Sequence, residues 1–265
     1  MLSNMQRAIF FVALAALFGS TVVAQNGVTI ISDPNDLSRP ISTILAQLRK
    51  RETISLTYED PRYANVADIQ DVTPQVARNI SPSEMERRPR ILVPKGRAVT
   101  FVYIPQDMRS PDDAMATIER LLREYEALGG PTFTVTRDGA RFHVVPSEVL
   151  NAKGERISQD SIPDTVISIP PGRRDGGEFL QAICDQVQKQ TGYAIGVGPS
   201  VPGNNLARYR TNEGIENESA RTAMEQLLDK ATLPGSFVWD LYYGPDVKSY
   251  GLNFNYVGTA GPMAK

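Results

Sequence analysis

The sequence predicts an α+β protein made of two tandem small units, each with two helices packed on short mixed sheets. Two observations indicate this fold class. The stretch Ile-Glu-Arg-Leu-Leu at residues 118–122 recurs 106 residues later as Met-Glu-Gln-Leu-Leu at residues 224–228, and both copies lie in apolar stripes with helical spacing. Each copy is then followed by two short strand-like runs. A chain of 265 residues is long enough for two domains of about 100 residues each.

The first unit is predicted to span residues 38–148. Its second helix has a typical start, because Ser110 is a preferred N-cap and is followed by a proline and two acidic residues. Its last two strands are joined through Asp138-Gly139, a hairpin-turn signal. The predicted elements are a helix with the apolar stripe Ile41, Ile44, Leu45 and Leu48, strands at 53–58 and 98–104, a helix with the stripe Ala114, Ile118, Leu121, Leu122 and Tyr125, and strands at 133–136 and 141–145.

The second unit is predicted to span residues 163–257. Thr191-Gly192 ends its first helix, and residues 217–219 offer a cap for its second helix. The predicted elements are a strand at 165–169, a helix with the stripe Phe179, Ile183 and Val187, a strand at 193–197, a weak strand at 206–211, a helix with the stripe Ala220, Met224, Leu227, Leu228 and Ala231, and strands at 237–243 and 250–254.

Two segments lack a clear pattern. Residues 59–95 form a polar, proline-rich insertion in the first unit, which we expect to be an extended or mobile loop. Residues 149–162 are assigned to the linker between the units, because residues 151–161 are polar and unpatterned.

The N-terminal segment at residues 1–24 has the features of a secretory signal peptide. Arg7 supplies one positive charge, residues 8–18 form an unbroken apolar run, and Val22 and Ala24 place small residues before a plausible cleavage site. The apolar run is about half the length of a membrane-spanning helix of roughly 20 residues. This pattern predicts a periplasmic or secreted protein with no membrane span after signal cleavage, although retention of the segment as an anchor stays open.

Composition excludes several classes of function. A net charge of −2 leaves no broad basic surface for nucleic acid. One cysteine, Cys184, excludes an intrachain disulfide framework, and one histidine, His143, removes most histidine-based metal and catalytic sites. We therefore expect no catalytic residues, no metal and no cofactor.

The second unit resembles the short N-terminal domain shared by secretins and TonB-dependent receptors. The resemblance is carried by the opening strand at 165–169, the helix ending in Gln-Thr-Gly-Tyr at 190–193, the Pro202-Gly203 turn, and the segment Ser-Ala-Arg-Thr-Ala-Met-Glu-Gln-Leu-Leu at 219–228 before a hairpin. The first unit shares only the element order and residues 118–122. The resemblance implies helices packed on small sheets and a docking or signalling role without enzymatic activity.

The residues that could carry chemistry also have structural explanations. Cys184 adjoins the apolar stripe of its helix and is expected to be a buried structural thiol. His143 is expected on a sheet surface. Asp112 and Asp113 fit helix-start charges, and the other candidate metal-binding acids fit a solvated loop. Those loop acids are Asp68, Asp71, Glu84 and Glu86.

Aromatic residues cluster near the C-terminus, and an exposed subset of them is the best candidate for a contact surface. The cluster consists of Phe237, Trp239, Tyr242, Tyr243, Tyr250, Phe254 and Tyr256. Strand alternation predicts that Phe237, Trp239 and Leu241 face one side of the sheet, and that Val238 and Tyr242 face the other.

Three functional hypotheses follow from these patterns. The leading one is an exported, non-enzymatic protein that docks onto another envelope protein, such as an outer-membrane or secretion component. An alternative is a small-molecule or glycan-binding protein that uses a cleft between the units and the tyrosines at 242–256. A hydrolase is the third, although no Ser/His/Asp or paired-carboxylate set falls within one unit.

Overall fold

The structure, a computed structural model, describes residues 27–32, 38–76, 81, 84, 87, 89–198, 202–232 and 234–258. The predicted signal segment at residues 1–24 lies outside the described residues. The helices are α1 (Pro40–Glu52), α2 (Thr73–Val76), α3 (Pro111–Ala127), α4 (Gly176–Thr191), α5 (Gly203–Arg208) and α6 (Ala220–Ala231).

The strands, together with these helices, confirm the predicted α+β class. They are β1 (Val28–Ile31), β2 (Ser55–Glu59), β3 (Ile69–Asp71), β4 (Leu92–Pro94), β5 (Thr100–Tyr103), β6 (Thr132–Asp138), β7 (Arg141–Leu150), β8 (Arg156–Ser158), β9 (Val166–Ile169), β10 (Arg174–Asp175), β11 (Ile195–Val197), β12 (Arg210–Thr211), β13 (Ile215–Ser219), β14 (Phe237–Gly244) and β15 (Ser249–Tyr256).

One seven-stranded sheet runs through the molecule in the order β11-β15-β14-β2-β7-β6, and β8 also pairs with β7. Two antiparallel hairpins, β6–β7 and β14–β15, are each flanked by a parallel strand. Strand β14 also pairs in parallel with β2. The sheet therefore joins the N-terminal half (described residues 27–150) to the C-terminal half (described residues 162–258).

Buried apolar residues form two clusters, one in each half. In the N-terminal half, helices α1 and α3 share their cluster with the small β1–β5 sheet and with β2, β6 and β7. In the C-terminal half, α4 and α6 share theirs with the small β9–β13 sheet and with β11, β14 and β15. In both halves, the apolar stripes of two helices and the apolar faces of the strands therefore form one shared cluster. This is the arrangement that the alternation of apolar and polar residues predicts.

Three strands of each half are paired in the same order, direction and register. Leu56 and Tyr58 of β2 stand opposite Phe142 and Val144 of β7, and Val144 also stands opposite Val135 of β6. The C-terminal half repeats this ladder in the strands β11, β15 and β14. The corresponding pairs are Ile195 with Tyr250, Val197 with Leu252, and Leu252 with Leu241.

Local sequence signals explain the ends of the helices. Ser110 and Ser219 cap α3 and α6 by accepting backbone N–H groups with their hydroxyls. Helices α1 and α4 both end in a left-handed residue, Thr53 with φ 53° and Gly192 with φ 79°. Gly139, with φ 57°, occupies the first position of the two-residue turn between β6 and β7, as a type II′ hairpin requires.

One sequence-based assignment was wrong. Residues 206–211 do not form one strand: α5 occupies the first half of this stretch, because Leu206 is buried beside α4, and only Arg210–Thr211 pair as β12. The segment 149–162, assigned to the linker, contains the short strand β8, which pairs with the end of β7. Both features occur in short segments whose structure depends on a distant partner.

The insertion at 59–95 is also more ordered than expected in its described part. Glu59 and Asp60 are fully buried, and Tyr63 packs into the apolar cluster of the C-terminal half. Strands β3 and β4 then pair with each other as an antiparallel ribbon. Contacts with the other half of the chain, which no local pattern reveals, hold the start of this segment.

Candidate functional site

His143 is buried, with 2% of its surface exposed, so its expected position on the sheet surface is wrong. Its Nδ1 lies 2.9 Å from Thr57 Oγ1 and 3.6 Å from Oε1 of Glu225 on α6. Burial, followed by the positive charge of Arg221, lowers the pKa of the imidazole to about 3, so the ring is neutral at pH 7. Helix α6 of the C-terminal half covers this face of β7, which the sequence of the N-terminal half cannot reveal.

The residue types of a nucleophile, a base and an acid come together in Thr57, His143 and Glu225. Their arrangement is not that of a catalytic relay. A catalytic relay places the nucleophile on one ring nitrogen and the acid on the other. Here both oxygens approach Nδ1, while Nε2 is buried and has no hydrogen-bond partner among the described residues. The structure thus brings these residues together from two halves as part of the packing between them.

Cys184 is buried in α4, as expected for a structural thiol. Burial raises its pKa to about 12, with the carboxylate of Asp185 as a second cause. The thiolate is the reactive form of cysteine, and this environment strongly disfavours it. His143 belongs to β7 of the N-terminal half, whereas Cys184 lies in the apolar cluster of the C-terminal half.

The acidic candidates occupy local structural roles. Asp112 and Asp113 lie in the first turn of α3, and Asp112 also pairs with Arg137 at 2.6 Å. Asp71 accepts the backbone N–H of Thr73 at the start of α2. Within the described residues, no group of three or more His, Cys, Asp or Glu side chains is placed to hold a metal ion. Glu86 lies outside the described residues.

Most of the C-terminal aromatic residues lie inside the protein rather than on a contact surface. Trp239 and Tyr250 are 1% exposed, and Tyr243 is 6% exposed. Tyr242 packs against the apolar cluster of the N-terminal half. Tyr256, which is 66% exposed, lies on the surface at the end of β15. The alternation predicted for β14 is correct, but both faces of the strand are covered because each half contributes helices to a different face.

We call the contact between β14 and β2 the joint. Asp240 stands opposite Tyr58 and Leu241 opposite Glu59, and the backbone N–H of Asp60 donates to the carbonyl of Leu241 at 2.8 Å. This short parallel ladder is the only direct strand pairing between the halves among the described residues. Side chains on both faces of the ladder extend the joint.

The first set of joint side chains is an ion pair between Arg49 of α1 and Asp240 of β14. Two bonds of 3.0 and 2.8 Å join the guanidinium to the two carboxylate oxygens, and Arg49 also donates to the carbonyl of Leu56. Both residues are almost fully buried, at 4% and 1% exposure. Asn255 and Tyr242 donate further hydrogen bonds to Asp240, so all of its charge is compensated.

Asp60 forms a second buried centre at the joint. It accepts hydrogen bonds from Arg39 Nε at 2.6 Å, from Tyr58 Oη at 2.8 Å and from the backbone N–H of Tyr243 at 3.0 Å. Burial raises the pKa of this carboxyl, although Arg39 and the hydrogen bonds act in the opposite direction. Arg39 also donates to the carbonyl of Tyr243, so one arginine ties α1 to β14.

The other face of the joint is also polar. Glu59 accepts bonds from the Ser161 hydroxyl at 2.5 Å and the backbone N–H of Ile162 at 2.9 Å. Arg221 of α6 pairs with Asp164 at 2.6 Å and also donates to Ser161. Burial raises the pKa of Glu59 to about 7 despite these contacts.

Sequence reasoning missed these joint residues. A signal existed in the sequence, because Asp240 interrupts an otherwise apolar and aromatic strand, and an acid in such a position must be paired when buried. The partner Arg49 lies 191 residues away and belongs to an ordinary amphipathic helix. Only the tertiary structure identifies the pair.

The central sheet ends at β6 on one side and at β11 on the other. Neither outer edge pairs with another strand among the described residues. Strand β6 is the longer edge, and its threonines at 134 and 136 are exposed while Phe133 and Val135 are buried. Its first five residues carry no lysine, proline or charge, so the usual features that protect a sheet edge are confined to its ends, where a register shift lies between Thr132 and Phe133 and Arg137 and Asp138 are charged.

Beside β6 lies an open hollow of about 590 Å³. Its floor is the outer face of β6 and β7, including Thr134 and Val145, and its wall is the segment 158–165 that leads into the C-terminal half. Asp160 and Asp164 also line it, and half of the ten lining residues carry hydroxyl groups, namely Thr134, Ser147, Ser158, Ser161 and Thr165. Gln159, which is 5% exposed, has an amide nitrogen without a hydrogen-bond partner among the described residues.

Comparison of the chain with protein-family models, curated proteins and solved structures finds no match. In the described part of the chain, no helix combines the length and the apolar character needed to cross a membrane.

Proposed function

We propose that the protein is an exported, non-enzymatic docking protein of the bacterial envelope that binds another chain by strand addition to its central sheet. The observation that carries this proposal is the open edge of β6. An unpaired edge strand offers a row of backbone donors and acceptors with which an extended segment can pair. The resemblance of the second unit to the short domain of secretins and TonB-dependent receptors supports a docking role.

The hairpin geometry identifies the backbone groups that are open for pairing. The two-residue turn makes Asp138 and Arg141 a hydrogen-bonded pair, and bonded and non-bonded pairs then alternate along β6 and β7. Pro146, which lacks an N–H, stands opposite Phe133 in a non-bonded position, as this alternation requires. The backbone groups of Phe133, Val135 and Arg137 therefore point outward.

Several buried polar groups are accounted for by the packing of the chain itself. The buried charges of Arg49, Asp60 and Asp240 are all compensated by partners within the chain. His143 is held neutral, and the thiol of Cys184 is held protonated. None of these groups is positioned to exchange a proton with a substrate at the surface.

Capture from envelope extracts tests this proposal. Arg137→Pro removes one outward N–H and places a ring on the edge, so we expect about tenfold less of the specific partner to be recovered. Arg137→Ala is the matched control, because it removes the same side chain but keeps the N–H. Recovery of general chaperones alone, or equal capture by both variants, would contradict the proposal.

The hollow beside β6 favours a second candidate, a small polar ligand bound between the halves. Hydroxyl groups from both halves line it, and small-molecule sites often lie at such boundaries. A thermal-shift scan with a library of sugars and small polar compounds tests this function, because a ligand that binds the folded state raises Tm. The shift should shrink in Ser158→Ala, and a flat scan would reject this candidate.

A further inference from the structure

We propose that the chain that docks on the β6 edge is a second copy of the same protein, which presents its own β11 edge. The two strands would pair in parallel and repeat between molecules the joint that β14 and β2 form within one molecule. This inference rests on the proposed function of the β6 edge as a docking site, and it names the partner.

The two free edges correspond to the two strands of the joint. Strands β6 and β14 are each the first strand of a hairpin that follows the repeated helix motif. Strands β2 and β11 each follow the first long helix of their half and lie parallel to the second hairpin strand. The joint pairs β14 of one half with β2 of the other. The strand equivalent to β14 is β6 and the strand equivalent to β2 is β11, and in the described sheet each of these has one edge without a partner.

The joint also supplies the register of the new contact. Asp240 stands opposite Tyr58 within the chain. The matching ladders place Thr134 at the position of Asp240 and Val197 at the position of Tyr58. Thr134 of one copy should therefore stand opposite Val197 of the next.

The open backbone groups agree with this register. In the joint, the carbonyl of Leu241 accepts the N–H of Asp60. Val135 occupies the position of Leu241 in β6, and its carbonyl points outward by the alternation of the hairpin. The same acceptor that closes the joint is thus available at the free edge.

The hollow beside β6 corresponds to the space that helix α1 occupies at the joint. Asp240 is covered by Arg49 of α1, the helix that precedes β2. The equivalent residue Thr134 lies on the floor of the open hollow. The helix that precedes β11 is α4, so pairing of β11 with β6 would bring α4 of the second copy over Thr134.

The side chains on α4 suit this position. Leu48 of α1 is buried 8 positions before Leu56 of β2, and Val187 of α4 is buried 8 positions before Ile195 of β11. The residue after each is therefore also equivalent, so Gln188 of α4 corresponds to Arg49 of α1. In the contact between two copies, Gln188 and Thr134 would replace Arg49 and Asp240. Both side chains are exposed, and the amide and the hydroxyl can hydrogen-bond to each other without burying a charge. Neither position introduces an unpaired charge into the contact.

This contact joins different surfaces of the two copies, so it does not close as a two-fold dimer. A heterologous contact repeats from copy to copy and forms either a ring or an open row. The expected product is a series of oligomers beyond the dimer, whose population rises with concentration.

Disulfide trapping tests the register. Neighbouring strands lie about 4.8 Å apart, within the Cα separation that a disulfide spans. A mixture of full-length Thr134→Cys and Val197→Cys proteins should form mixed disulfide dimers, and a chain with both substitutions should form a ladder of multimers. Val102→Cys replaces an exposed residue on the small β1–β5 sheet and is the control, because it should not crosslink to Thr134→Cys. Equal crosslinking of the control would overturn the register.

Transfer of the joint's charges provides a second test. Thr134→Asp and Gln188→Arg together recreate the pair that Asp240 and Arg49 form in the joint. Each single variant should self-associate about tenfold more weakly than wild type, while a chain that carries both substitutions should self-associate at least as well as wild type. If the double variant associates no better than the single variants, the proposed position of α4 over Thr134 is wrong.

Light scattering of the unmodified chain separates this inference from the proposed function. Oligomers larger than a dimer should appear as the concentration rises to about 1 mM, and Arg137→Pro should suppress them while Arg137→Ala does not. A wild-type chain that stays monomeric throughout overturns the inference. If Arg137→Pro nevertheless abolishes capture of a different envelope protein, the docking function stands with another partner.

Discussion

The joint and the free β6 edge share one backbone arrangement but differ in the chemistry of their side chains. At the joint, Asp240 is buried and paired with Arg49. At the free edge, the equivalent residue Thr134 is exposed and uncharged. A buried charge pair is held only when both partners are always present, which covalent connection of the two halves guarantees.

This difference shows how one sheet can have both a permanent contact and an open one. The hydrogen-bonded charges of Arg49 and Asp240 close the joint. Separating the two strands would leave each of these charges without its partner. The β6 edge offers the same backbone ladder with neutral hydroxyls, so its exposure to water costs little. Strand pairing alone does not decide which edge is closed. The side chains on the faces of the ladder decide it.

The largest expected effect comes from breaking the charge pair of the joint. Asp240→Ala leaves the guanidinium of Arg49 buried without its counter-ion, and we expect a loss of about 3–5 kcal/mol in the free energy of unfolding. Thr134→Ala, the same change at the equivalent free-edge position, should change stability by less than about 0.5 kcal/mol. Chemical denaturation measures both values.

A double variant separates charge burial from packing at the joint. Arg49→Met with Asp240→Leu removes both charges and should recover most of the stability lost in Asp240→Ala, because no unpaired ion remains. A loss below about 1 kcal/mol in the single variant would show that the pair is not the closing element.

The second effect is a pH dependence from Glu225 of α6, at the place where this helix packs over His143 of β7. Burial raises the pKa of Glu225 to about 7 from the ordinary value of 4.5, even though Arg141 acts in the opposite direction. The folded state therefore holds this proton more tightly than the unfolded state. The stability that it contributes is present below pH 4.5 and is lost as pH rises through about 7.

Glu225→Gln keeps the neutral form at every pH and should remove the share of the pH dependence that Glu225 contributes, leaving the share of Glu59, whose pKa burial also raises to about 7. Relative to wild type, the variant should gain about 2 kcal/mol between pH 5 and pH 8, because one pKa unit corresponds to about 1.4 kcal/mol. Glu119 is the matched residue on α3, 106 positions earlier, and is only partly buried. Glu119→Gln should show no such change, and denaturation at the two pH values compares them. An equal change in both variants would place the origin of the pH dependence outside Glu225.

The smallest effect compares two equivalent helix ends. Thr53 and Gly192 both end their helices in the left-handed conformation, which costs a β-branched residue more than glycine. Thr53→Gly should raise stability by up to about 1 kcal/mol, and Gly192→Ala should lower it by a similar amount. No atom lies within 4 Å of a Cβ added at Gly192, so its change isolates the backbone term. Opposite signs in thermal or chemical denaturation would support the equivalence of the two halves.

Features that depend on nearby residues could be read from the sequence. The apolar stripes of α3 and α6, the Ser110 cap and the turn after Asp138 all arise from residues within a few positions of each other. The assignment failed at α5, because a single buried residue, Leu206, is compatible with a strand or a helix turn until its packing against α4 is known.

The sequence by itself determined the α+β class, the main helices and both hairpins, because helix stripes and turn chemistry act over short distances along the chain. Only the tertiary structure decided that β14 joins β2, that Arg49 meets Asp240 and that α6 buries His143. These contacts join residues far apart in the chain, and a charged or polar residue carries no local mark of its partner. The closed joint and the open edge are therefore properties of how the two halves meet.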